Sequence, residues 1–174
     1  ENLLMKHLLK AEKDPQRKKY LLNLYIEEFR STLFRQTMFA EFERDTHKAV
    51  EEGETLTAEW LCGVYEKLNR KYFGDRVVYD PQIAMEWARI PHFYNAFYVY
   101  KYATGYSAAA AISDQILSEG DKARDAYIEF LKTGDSDHPI ELLKIAGVDM
   151  SSPKPIERAM AAFGSLVEEL EKLL

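Results

Sequence analysis

The chain has 174 residues, of which 47% are hydrophobic and 30% charged, and a formal net charge of −6, an ordinary globular composition that is long enough for one well-buried core. The acidic balance and the lack of any dense Lys/Arg cluster exclude the electrostatic footprint on which nucleic-acid binding depends. Apolar runs stay far below the roughly 20 residues needed to cross a bilayer, and the single cysteine, Cys62, can close no intrachain disulfide and suits a reducing compartment, which points to the cytoplasm.

The chain opens on Glu1-Asn2-Leu3-Leu4-Met5, an amphipathic helical pattern with no capping residue before it, and reads as a boundary inside a longer protein. That pattern runs to about Glu12. Asp14-Pro15 then combines an N-cap with a proline at the first helical position, where a missing N–H is harmless. A long helix is expected from there to about Glu52. Leu22, Ile26, Phe29 and Leu33 form one stripe along it, and Phe34, Met38 and Phe42 continue on an adjoining face, so burial is expected on more than one side.

Gly53 ends this helix, and Thr57 caps the next one, which carries Trp60, Leu61, Val64, Tyr65 and Leu68 and closes at Phe73-Gly74-Asp75. Asp80-Pro81 repeats the cap-and-proline device. The short helix it starts must stop before Pro91, because the residue preceding a proline is pushed out of the α region; Ile90-Pro91-His92 is then a fixed bend. Further helices are expected over about 93–118, from Gly120-Asp121 to near Gly134, and over about 139–146 and 155–173. Strand signals are nearly absent. The expectation is an all-α chain forming a single helical domain over residues 1–174.

A helical zinc site places two histidines one turn apart with a glutamate beside the first. That spacing is missing, because His7, His47, His92 and His138 lie far apart. Glu43 with His47 is the nearest imitation, and it reads as an i,i+4 surface pair in a charged stretch rather than as a metal site. Neither a Gly-rich phosphate loop nor a G-x-S-x-G elbow occurs.

The segment from Arg89 to Tyr106 stands apart. Five of the eleven tyrosines, Tyr94, Tyr98, Tyr100, Tyr102 and Tyr106, fall within it. On a continuous helix Phe93, Phe97 and Tyr100 share one face and Tyr94, Tyr98 and Tyr102 the neighbouring one, which is compatible with a helix buried all round. An unpaired buried hydroxyl costs roughly 1–3 kcal/mol, so repeated tyrosine instead of phenylalanine implies polar work for some of these groups. Pro91 fixes the bend beside His92, a rigid way of holding an imidazole toward a cleft with phenols following it.

Arg35-Gln36-Thr37-Met38-Phe39-Ala40-Glu41-Phe42-Glu43, followed by Arg89-Ile90-Pro91-His92-Phe93-Tyr94 and the tyrosine run, closely resembles oligoendopeptidase F, of the thimet-oligopeptidase-like zinc peptidases. The similarity runs through essentially the whole chain. It implies the multi-helix C-terminal part of that helical peptidase fold, with the H-E-x-x-H helix and the third ligand, a glutamate, upstream of Glu1. The cofactor implied is zinc in the full-length enzyme, with none bound by residues 1–174. The partners implied are short peptide substrates and the missing N-terminal part.

What the resemblance carries over is the wall opposite the metal, where related enzymes bind substrate and stabilise the oxyanion with a histidine and tyrosines. His92 matches the histidine. Matching by helical face favours Tyr100, whereas matching by the first tyrosine after the histidine favours Tyr94 with Tyr98; the catalytic candidates are thus His92, Tyr98 and Tyr100, with Tyr94 substrate-binding. The implied mechanism is zinc-assisted hydrolysis with the upstream motif glutamate as general base, this chain supplying the donors to the oxyanion. Arg35, Gln36, Glu41 and Glu43 read as architecture, polar residues bonding between helices. The alternative is a non-catalytic helical interaction module with the tyrosine helix as its binding face.

Overall fold

The computed structural model describes residues 1–174 throughout and is all-α, with no strand. Eight α-helices follow one another: α1 (Asn2–Ala11), α2 (Pro15–Phe29), α3 (Arg35–Glu51), α4 (Ala58–Phe73), α5 (Tyr100–Glu119), α6 (Asp121–Lys132), α7 (Pro139–Ile145) and α8 (Lys154–Glu171). The expected boundaries hold where local chemistry sets them. Asp14 accepts the Gln16 N–H at 2.8 Å, Thr57 the Trp60 N–H at 3.2 Å, and Asp80 the Gln82 N–H at 2.9 Å, each side chain satisfying one orphan donor of a helix start. Gly74 closes α4 at φ 71°, a backbone conformation that a Cβ would oppose.

Two expectations are corrected. The long helix from Pro15 to Glu51 carries a π-helical turn at Arg30–Phe34, which adds a residue to the helical repeat and shifts the buried stripe from Leu22, Tyr25 and Phe29 to Met38, Phe39 and Phe42. The helix expected from residue 93 begins only at Tyr100. Before it come two 3-10 segments, Pro81–Arg89 and Pro91–Tyr94, and then irregular backbone.

The chain divides into two compact units, one of Glu1–Arg30 with Thr104–Leu174, the other of Ser31–Ala103. In the first, α2 packs against α1 and α8, and α6 against α7. Phe29, fully buried, meets the rings of Tyr25, Tyr106 and Phe163 at 5.4, 4.9 and 5.7 Å. The Tyr25 hydroxyl donates to Asn2 Oδ1 at 2.7 Å. Ala108, Ala111 and Ile112 of α5 form a second core with Ala146 and Val148.

In the second unit α3 packs on α4, and α4 on the 3-10 segment Pro81–Arg89. Its core is Met38, Phe39, Phe42, Tyr65, Leu68, Ile90 and Val99; each such large apolar side chain contributes about 1.5–3 kcal/mol on burial. One carboxylate crosses this core. Glu86 accepts from the Tyr65 hydroxyl at 2.7 Å, from Arg35 at 2.6 Å and from Arg89. Packing in this unit sets the position of the segment that holds His92.

Candidate functional site

Pro91 has no N–H to give a preceding turn and follows Ile90 in extended backbone (φ −89°, ψ 100°), so the single 3-10 turn Pro91–Tyr94 starts there and leaves His92 exposed on its corner. The chain does not continue as helix. Asn95 is extended, and Phe97 has a φ of 56°, the one non-glycine residue in the left-handed region. The Tyr98 N–H donates to the Asn95 carbonyl at 3.1 Å, and Val99 turns inward to full burial.

This turn lays Tyr98 over His92, with ring centroids 5.6 Å apart and planes inclined by 27°. Tyr102, on the first turn of α5, meets His92 edge-on at 5.9 Å and Tyr98 at 5.6 Å. The Tyr102 hydroxyl lies 3.4 Å from His92 Nε2 and 3.5 Å from the Tyr98 hydroxyl, both at the long end of hydrogen-bond range. One phenolic proton cannot serve both contacts. When Tyr102 donates to Tyr98, the imidazole must be the donor at Nε2. The bond to Tyr98, with some burial, holds the Tyr102 phenol above its ordinary value, so it stays protonated near neutral pH. The Lys101 ammonium stands 5.3 Å from the centre of the Tyr98 ring.

Of the residues singled out from the sequence, His92 and Tyr98 come together, while Tyr94 is 89% exposed and Tyr100 49% exposed. Tyr102 is the member that sequence reasoning passed over. Its signal was the four-residue spacing from Tyr98, which puts both on one face of a continuous helix. Tyr106 does different work: its ring packs on Phe29, and its hydroxyl is buried without a hydrogen-bond partner, burial pushing the phenol well above its ordinary value.

A cleft of about 310 Å³ opens beside the 3-10 turn, lined among others by Phe42, Glu43, His47, Trp87, Phe93 and Tyr94. Its walls are mostly apolar, and the Trp87 indole N–H is buried with no acceptor. The surface pair expected of Glu43 and His47 is not what forms. Glu43 is only 4% exposed and accepts the Phe97 N–H at 2.6 Å, and the His47 ring lies 4.5 Å from the Phe97 ring. Arg35, Glu41 and Glu43 all bond between elements, Glu41 through Lys71 and Tyr72 of α4 at 2.8 and 3.0 Å. Burial and the bond to Glu41 push the Tyr72 phenol up to about 12.

Nowhere do three His, Cys, Asp or Glu side chains converge as a metal would require. What the site offers is a group of donors, one imidazole and two phenols, partly open to solvent. Such a group can hydrogen-bond a peptide backbone or an oxygen that gains charge.

The family model of peptidase family M3 matches residues 1–162. Oligopeptidase PepF of Bacillus subtilis (strain 168) is 56% identical over all 174 residues, and the chain spans 26% of that protein. The plasmid-encoded oligoendopeptidase F of Lactococcus lactis subsp. cremoris is 44% identical over the same 174 residues, 29% of its length. The crystal structure of oligoendopeptidase-F from Enterococcus faecium superimposes with a TM-score of 0.94 at 49% identity, over 98% of this chain and 33% of that one. The chain therefore spans about a quarter to a third of the relatives it matches, and its helical fold is the one seen in an oligoendopeptidase F. With the family model covering all but the end of α8 and identities of this size over its full length, the chain belongs to peptidase family M3.

Proposed function

We propose that the protein is a zinc-dependent oligoendopeptidase acting on short peptides, and that residues 1–174 supply the wall of the site that binds the substrate and stabilises the oxyanion. The observation that carries this reading is the group formed by His92, Tyr98 and Tyr102, whose donors face one another on exposed and half-buried side chains rather than inside hydrocarbon.

When water adds to a peptide carbonyl, charge develops on the carbonyl oxygen. Groups that donate to that oxygen more strongly than to the neutral carbonyl lower the barrier. A phenol held above its ordinary value remains a donor, and a neighbouring imidazole orients it. Tyr94 lines the cleft, and on this reading it touches the peptide. The residues here do not fit a zinc site, and we assign the zinc ligands to residues outside these 174. The reading of the chain as a free-standing interaction module gains no support from membership of a peptidase family.

The test is kinetic, on the full-length enzyme. His92→Ala and Tyr102→Phe should each lower kcat by about 10²–10³-fold, the loss on removing one oxyanion donor, with zinc content at the parental level by atomic absorption. Tyr98→Phe and Tyr100→Phe beside them settle which phenol acts. Loss of zinc in either of the first two variants, or parental turnover in both, would refute the assignment.

A further inference from the structure

The strained turn between His92 and Tyr98 is held from outside itself, and the holding group belongs to the Arg35–Glu43 motif. Phe97 carries a Cβ and yet sits at φ 56°, a conformation that L-residues avoid. Locally the turn around it is closed by the Tyr98 N–H on the Asn95 carbonyl at 3.1 Å. Its own N–H is taken by Glu43 Oε1 at 2.6 Å, across 54 residues of sequence, and that carboxylate is only 4% exposed. A buried carboxylate on a backbone N–H makes a short, charge-assisted bond. One helical turn further along α3, His47 lies against the Phe97 ring at 4.5 Å with planes 33° apart. Two successive turns of one helix therefore grip the same residue, by its backbone and by its ring. The next residue in the chain is Tyr98, stacked on His92.

We infer that Glu43 is a positioning residue which, with His47, clamps Phe97 in its strained conformation and so fixes the Tyr98 ring against His92 and its hydroxyl beside that of Tyr102. The inference rests on the peptidase reading of that group and assigns Glu43 no contact with substrate. It also accounts for Glu43 and His47 standing one turn apart without being metal ligands. Both are engaged by Phe97, and no third ligand converges on them.

The experiment uses the full-length peptidase, a short fluorogenic peptide, and four variants: Glu43→Ala, Glu43→Gln, His92→Ala and the double variant Glu43→Ala with Phe97→Gly. Glu43→Ala should lower kcat by about 10–100-fold, the scale of a catalytic group displaced by about an ångström, and move KM by no more than about threefold. Zinc content should stay parental, and backbone hydrogen exchange in the peptide spanning residues 95–98 should quicken. Glu43→Gln keeps an oxygen to accept the N–H and should recover most of the turnover. Glycine adopts the left-handed region freely, so Phe97→Gly should restore part of what Glu43→Ala loses. Parental kcat in Glu43→Ala alongside a fall in His92→Ala would overturn the clamp and leave the site reading intact. Equal losses in Glu43→Ala and Glu43→Gln would likewise overturn it. Should His92→Ala keep full turnover, the site reading fails; exchange at 95–98 then decides the clamp, which parental protection in Glu43→Ala would sink.

Discussion

Glu86 shows how a single carboxylate holds three elements of the second unit together. It is 8% exposed, and burial alone would raise its carboxyl. Hydrogen bonds from Tyr65 and Arg35, with the charges of Arg35 and Arg89, more than offset this and hold it below the ordinary glutamate value. A folded value below the unfolded one means that the unfolded chain takes up the proton more readily. The stabilisation is then complete above the unfolded value, about 4.3, and is lost as pH falls through the folded one. Glu86→Gln should reduce stability at pH 7 by about 1–3 kcal/mol, since Tyr65 keeps an acceptor while the arginines lose their charge partner. The melting temperature of the variant should also change less between neutral pH and about pH 3.5 than that of the parent. Parallel acid limbs for the two proteins would show that Glu86 is not the group that titrates.

Among the helices, the caps make the sharpest comparison. Asp14 and Thr57 bond the exposed N–H groups of α2 and α4, whereas His138, at the same position before α7, makes no such bond. Asp14→Ala and Thr57→Ala should each lower unfolding free energy by about 1 kcal/mol, and His138→Ala by much less, read from denaturant midpoints at constant slope. These starts were legible because a cap is chosen by residues within one turn of it. The π-helical turn at Arg30–Phe34 was not, since nothing in Arg30-Ser31-Thr32-Leu33-Phe34 departs from a good α-helical pattern. The late start of α5 was hidden for a different reason. Residues 93–99 contain no glycine or internal proline, and the turn there is bonded to Glu43, far away in sequence. His92 and Tyr98 could be picked out from the pattern, but pairing the histidine with Tyr102 needs the geometry of that turn.

On the proposed reading, this chain carries one half of a chemistry. Its donors would bind a carbonyl oxygen and favour charge on it, yet it gathers no set of metal ligands to activate an attacking water. Stabilising an oxyanion accelerates only a reaction for which an attacking group is supplied. Residues 1–174 alone should therefore hydrolyse no peptide, even with zinc added, and should retain no stoichiometric zinc after equilibrium dialysis, whereas the full-length protein should do both. A peptide that competes for the full-length site should still perturb the tyrosine fluorescence of the isolated chain if the wall around His92 forms without the rest. Turnover by the isolated chain, abolished by a chelator and retained through purification to a single species, would mean that a complete metal site lies within these helices and that the division of labour argued here is wrong.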